Sequence, residues 1–201
     1  MAKELSQTDK TPLIAVSPMA LELWYEGPTV VVADKPVGLP VHPADAKGTN
    51  SLVNGLFQSN RWLAEMETSH TPGVIHVLAP EDRGLVLVAK SDETAEELRQ
   101  LYAAGRITFS YRVRVPAPLT PASTDAVTVF DHQTYDEVTV WDIDSPIGNT
   151  EDLRRQWIPD SGHGAYFVLY RLQVPMLHET LTVGFGERIW LPSIDLYTAP
   201  P

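Results

Sequence analysis

The alternation of apolar and polar residues is clearest in TFSYRVRVP, residues 108–116. There Phe109, Tyr111, Val113 and Val115 fall on one side of an extended chain, and Arg112 and Arg114 on the other. A strand with one buried face is predicted. Just before it, SDETAEELRQLYAAGRI has the helical period. Ser91 is placed to cap the first turn, Asp92 and Glu93 complement its dipole, Ala95, Leu98, Leu101 and Tyr102 share a face, and Gly105 stops it. Upstream, Thr29–Ala33 is a β-branched strand that runs into a stretch where Pro36, Gly38, Pro40 and Pro43 exclude both helix and ladder. Ser51–Phe57 puts Leu52, Val53, Leu56 and Phe57 at helical offsets. The two apolar runs Val74–Leu78 and Leu85–Ala89, separated by Pro80 and Gly84, read as strand, turn, strand, the second buried on both faces. Further strands are expected at Val127–Phe130, Val138–Ile143, Ala165–Val174, Glu179–Phe185 and Arg188–Leu191.

Residues 1–20, with Pro12 and Pro18 and no sustained period, are expected to be an extended arm, and 58–73 a polar connector. The economical result is an α+β protein. Residues 21–201 form one domain, with a curved, mixed, mainly antiparallel sheet over 29–115 and 165–196 and flanking helices, the one at 92–104 packed on the sheet.

Composition narrows the function classes. The 201 residues, 43% of them apolar, suffice for one core. No run approaches the ~20 apolar residues of a membrane span, and MAKELSQTDK lacks the apolar centre of a secretory signal. Cysteine is absent, which excludes disulfides and thiolate metal sites. A cytoplasmic protein is expected, with no membrane partner. His42, His70, His76, His132, His163 and His178 show no metal-ligand spacing, DIDS at 142–145 is too short for a calcium loop, and GHG at 162–164 reads as a turn, so neither metal nor cofactor is expected. Against 26 acidic residues stand 15 basic ones, a formal charge of −11. A surface for RNA would therefore have to be local. Candidates are Arg83 with Lys90, and Arg99, Arg106, Arg112 and Arg114, each of which read singly is a solvated charge.

Four segments in order resemble the RluA-type RNA pseudouridine synthases, which isomerise uridine in structured RNA: VVVADKPVGLPVHP (30–43), HVLAPEDRGLVLVAK (76–90), ITFSYRVRV (107–115) and ERIWLPSIDLYTAPP (187–201). They cover about half the chain. The resemblance implies the pseudouridine synthase catalytic-domain fold, without a separate RNA-binding domain of the S4 type, and ribosomal or transfer RNA as partner. It also implies a substrate-binding surface that includes Lys35, His76, Arg83 and Tyr111, the tyrosine matching one that packs on the uracil ring.

The same resemblance places the family's catalytic aspartate at Ala79, whose methyl can neither attack nor hold positive charge. The preceding family arginine is Val77, and the arginine that pairs with the aspartate falls at Leu181 when PMLHETLTV (175–183) is aligned, with His178 kept and Met176 at another arginine position. Glu81 and Asp82 are the rescue candidates, although acids beside a proline turn are ordinarily solvated. Three functions follow: a homologue without catalysis that still binds RNA through the inherited cleft, an active enzyme with a rearranged site, or a protein-interaction module, which the acidic balance favours.

Overall fold

The computed structural model describes residues 19, 21–44, 48–59, 73–116, 127–131, 136–158, 165–177 and 179–185. In chain order they form β1 (Leu23–Glu26), β2 (Val30–Lys35), α1 (Leu52–Ser59), β3 (Arg83–Ala89), α2 (Asp92–Ala103), β4 (Thr108–Pro116), β5 (Val127–Asp131), β6 (Asp136–Ser145), α3 (Thr150–Trp157), β7 (Tyr166–Pro175) and β8 (Thr180–Gly184). The strands make one sheet in the order β1-β2-β3-β7-β4-β6-β5, with β8 also on β7. Every pairing is antiparallel except that of β3 with β7. The α+β class with a mainly antiparallel sheet is what the pattern of elements predicts.

Local rules account for the best-anticipated elements. Ser91 Oγ accepts from the Thr94 N–H at 3.2 Å, and Gly105 at φ +65 turns the chain out of α2. On β4, Phe109, Tyr111, Val113 and Val115 are fully buried while Arg112 and Arg114 lie half-buried on the opposite face. β2 and β3 are buried along almost their whole lengths because β3 is central and both faces are covered. β4 occupies one edge of β7 over Tyr166–Gln173. β3 and β8 therefore share the other edge, β3 at Val168 and Leu169 and β8 from Arg171 to Pro175.

Two expectations are corrected. Val74–Leu78 is not a strand: Val74 makes an isolated bridge to Val88, and the Ile75 N–H reaches the Leu87 carbonyl at 3.2 Å. Beyond that point the ladder has no free partners. The Leu87 N–H donates to His76 Nε2 at 3.2 Å, and the Val77 carbonyl accepts from the Thr150 N–H at 3.4 Å. The sheet also extends beyond the expected 29–115 and 165–196, through β1 at one edge and β5 and β6 at the other. The arm before Met19, the connector over 60–72, the strand at Arg188–Leu191 and the GHG turn lie outside the described residues. Among the described residues no helix is long and apolar enough to cross a membrane.

Candidate active site

The segment 79–82 is a tight turn closed by the Asp82 N–H donating to the Ala79 carbonyl at 3.0 Å. Two neighbours fix it. From the loop after β2, the Gly38 N–H donates to the Pro80 carbonyl at 2.7 Å, with Gly38 at φ +83. Lys35, fully buried at the end of β2, donates from Nζ to the carbonyls of Leu39 at 2.7 Å, Pro36 at 3.1 Å and Pro80 at 3.2 Å. The lysine is thus a clasp between the proline-rich loop and the turn.

Burial lowers the Lys35 ammonium from 10.5 to about 8, against the pull of Asp82, Glu81 and Asp34. Unfolded, the lysine keeps its proton up to 10.5, so between those values the unfolded state binds more protons and stability rises with pH. Relative to Lys35→Met, the wild-type protein is expected to gain up to ~1.4 kcal/mol per pH unit across that interval, read by denaturant unfolding at a series of pH values. Equal slopes in the two proteins would exclude the clasp as a titrating charge.

Ala79 is 4% exposed and its N–H donates to Thr150 Oγ1 at 2.8 Å. Of the two acids beyond it, Glu81 carries a side chain 58% exposed, 3.6 Å from Arg154. Asp82 is the opposite of a solvated turn acid: its exposure is zero. Its Oδ1 accepts from the Phe167 N–H at 3.0 Å, and Arg154 Nη2 reaches Oδ1 and Oδ2 at 3.1 and 3.2 Å. Burial raises its carboxyl above the ordinary carboxylate range, while the Thr150 hydroxyl, Arg154 and the Phe167 amide hold it down and Glu81 adds to the rise. Arg154 is itself satisfied. It also donates to the Ala165 carbonyl at 3.2 Å and lies over the Phe167 ring, 4.9 Å from its centroid.

Tyr111 is fully buried, edge-on to Phe167 at 6.3 Å between centroids, and its hydroxyl donates to the Ile147 carbonyl at 2.9 Å. Burial holds that hydroxyl well above its usual range. His76 is 2% exposed and packs edge-on against Phe109 at 4.8 Å. Burial drops its imidazole from 6.5 to about 3. Arg83 is bound to Asp34 at 2.7 Å on the other face of the sheet, over the ring of Phe185. Lys35 and Tyr111 therefore lie by the turn with no open side, His76 is a packing residue, and Arg83 is directed elsewhere.

Leu181 is not opposite Ala79. It pairs with Val174, whereas the turn is held at Phe167. The two points are roughly 20 Å apart along β7 at ~3.3 Å per residue. The cation that meets this turn comes instead from α3, as Arg154. Sequence reasoning passed over α3 because TEDLRRQW has only Leu153 as an inward aliphatic and so shows no apolar stripe. The signal that could have found it is the cap: Asn149 followed by Glu151 and Asp152, with the Asn149 side chain accepting from the Glu151 N–H at 3.0 Å. Of the six histidines only His42 and His76 are described, and among the described residues no group of side chains could hold a metal ion. The DIDS residues belong to β6, where Asp142 pairs with Arg112 and Asp144 with Arg171.

Comparison with known proteins gives a consistent relationship. The family model described as RNA pseudouridylate synthase matches residues 29–156. The chain is 30% identical over 164 residues to the uncharacterized RNA pseudouridine synthase YlyB of Bacillus subtilis, covering 80% of this chain and 48% of that protein. It is 43% identical over 74 residues to ribosomal large subunit pseudouridine synthase D of Neisseria meningitidis, covering 37% of this chain and 19% of that protein. This chain thus spans half the length of such relatives or less. Among solved structures, human RNA pseudouridylate synthase domain containing 1 superposes with a TM-score of 0.58 at 13% identity, covering 84% of each chain.

Proposed function

The chain belongs to the RNA pseudouridylate synthase family, and on that premise we propose that it does not isomerise uridine and acts by binding structured RNA, ribosomal or transfer. One observation carries the reading: the turn that ought to present an inward-facing, unsaturated carboxylate presents none. Ala79 has no acid, the Asp82 oxygens are taken by Arg154 and the Phe167 amide, and Glu81 faces solvent. A buried carboxylate saturated by donors is a poor nucleophile and cannot follow charge on a ribose. The RNA half of the proposal rests on the substrate class in the relatives' names.

A second reading, as a protein-interaction module, is favoured by the way the cations are spent. Arg83, Arg112, Arg154 and Arg171 each pair with an aspartate, and Lys90 pairs with Glu26. Those five cations are matched by acids, on a chain with a net charge of −11.

The purified protein is expected to form no pseudouridine in ribosomal or transfer RNA, measured by mass spectrometry of the digested nucleosides. Product that disappears in the Glu81→Gln, Asp82→Asn double variant would overturn the reading. RNA affinity that falls steeply with salt separates the first reading from the second.

A further inference from the structure

Three parts of the molecule have no role of their own in the reading above. A groove of about 610 Å³ between α2 and the end of β7 is lined by Leu98, Leu101 and Met176, but nothing indicates what would fill it. The outer sheet face carries Tyr166, Tyr170 and Phe185 beside arginines, yet Val138 and Val168 beneath them are 2% and 1% exposed, so it is a second small core. The third, α3, carries an inference.

We infer that α3 is a lid over the inherited cleft, bolted by the Asp82–Arg154 pair, and that its release uncovers the surface that takes RNA. The second clause rests on the RNA-binding reading; the first does not. The helix has only two turns, too short to hold itself in water, and within it Thr150 and Leu153 are the buried residues. Its polar fastenings converge on one place. The Thr150 N–H meets the Val77 carbonyl, Thr150 Oγ1 meets the Ala79 N–H, and Arg154 spans from Asp82 to the Ala165 carbonyl. These bonds tie α3 to the turn on one side and to the start of β7 on the other, across the place where Tyr111 and Phe167 pack edge to face.

The loop that leads into α3 is held in the same manner. The Tyr111 hydroxyl donates to the Ile147 carbonyl, and the Gly148 N–H donates to the Tyr102 hydroxyl at 3.3 Å. The apolar anchors of α3 are Leu153 and Ile158 in the core, with Trp157 against it. The rest of its attachment is hydrogen bonds and the ion pairs of Arg154 with Asp82 and Glu81, and a cover held by so few buried side chains opens locally at less cost than the sheet beneath it. The position of Arg154 is also suggestive, because a guanidinium that lets go of Asp82 becomes available to a phosphate oxygen in the same planar geometry.

The test compares the full-length wild type with Arg154→Gln and with the gentler Asp82→Asn, which keeps the shape of the side chain. Hydrogen exchange of the Ala79 and Thr150 amides is read against the α2 amide of Ala95, which donates to the Ser91 carbonyl. Anisotropy of labelled bulk transfer RNA is measured alongside. Both variants are expected to speed exchange at Ala79 and Thr150 by about tenfold with Ala95 unchanged, and Asp82→Asn, which frees Arg154, to tighten transfer RNA binding by about tenfold. Local acceleration without a gain in transfer RNA affinity would keep the lid and overturn the claim that its release uncovers a surface for transfer RNA. If Arg154→Gln speeds all three amides together it has unfolded, and Asp82→Asn alone then decides. In that variant, Ala79 and Thr150 exchanging no faster relative to Ala95 than in the wild type would overturn the lid.

Discussion

Below pH 6.5 the wild-type protein is expected to lose stability by up to ~1.4 kcal/mol per pH unit on account of His76, a loss that His76→Gln removes. The sign follows from burial. The unfolded histidine takes a proton near 6.5, while the folded one resists it down to about 3, so throughout that window the unfolded state binds more protons and acid favours it. Local bonding agrees with the direction. His76 Nε2 accepts from the Leu87 N–H, which puts the ring proton on Nδ1, a buried atom with no partner. A second proton would have to enter at Nε2, facing a donor, and would break the bond that replaces a rung of the sheet.

Asp82 acts in the opposite sense. Its carboxyl is raised by burial, so acid protonates the folded state first and stabilises it. The histidine dominates because its shift is more than three pH units and nothing opposes it, whereas Arg154, Thr150 and the Phe167 amide restrain the aspartate. Integrated to pH 3 the loss approaches roughly 5 kcal/mol, a large part of what a domain of this size has. Urea midpoints at a series of pH values, wild type against His76→Gln, measure it. Parallel curves would mean that His76 is not the group being charged.

Gly84→Ala is expected to destabilise the fold by on the order of 4 kcal/mol, since two separate costs coincide at this residue. Gly84 has φ +140, a conformation a side chain adopts only with strain. Its missing Cβ would also fall on the carbonyl oxygen of Leu169, in the strand to which it pairs. That contact is a Cβ against backbone, which cannot swing away, and yielding would pull β3 from β7 at the one parallel junction among the described strands. Gly38→Ala is the matched control. Gly38 also has a positive φ, but an added Cβ there meets nothing within 4 Å, so only strain of ~1 kcal/mol is expected. Denaturant unfolding of the two variants separates collision from strain, and equal losses would show that the β3–β7 junction has room.

Gly84 also shows how far a sequence carries an argument about this protein. Short-range information was enough for α2, where Ser91, Asp92, Glu93 and Gly105 each act within one turn of the helix end, and for β4, where the period of two assigns Tyr111 and Arg112 to opposite faces. The pattern of predicted strands and helices carried the α+β class, because a strand followed by a proline loop, and a turn followed by a buried strand, are local patterns. Only the tertiary structure decided the rest. Val74–Leu78 has the composition of a strand, but whether it becomes one depends on which groups reach Leu87 first, and a side chain from His76 does. Asp82 reads as a solvated turn acid until Arg154, 72 residues away, is brought against it. Leu181 was assigned to the turn by alignment alone and sits at the far end of β7, since pairing with Val174 fixes its place. In each case the outcome depends on a partner distant in the chain. Hydrogen bonds and ion pairs are specific to pairs of atoms, and no period or propensity within one segment encodes the partner.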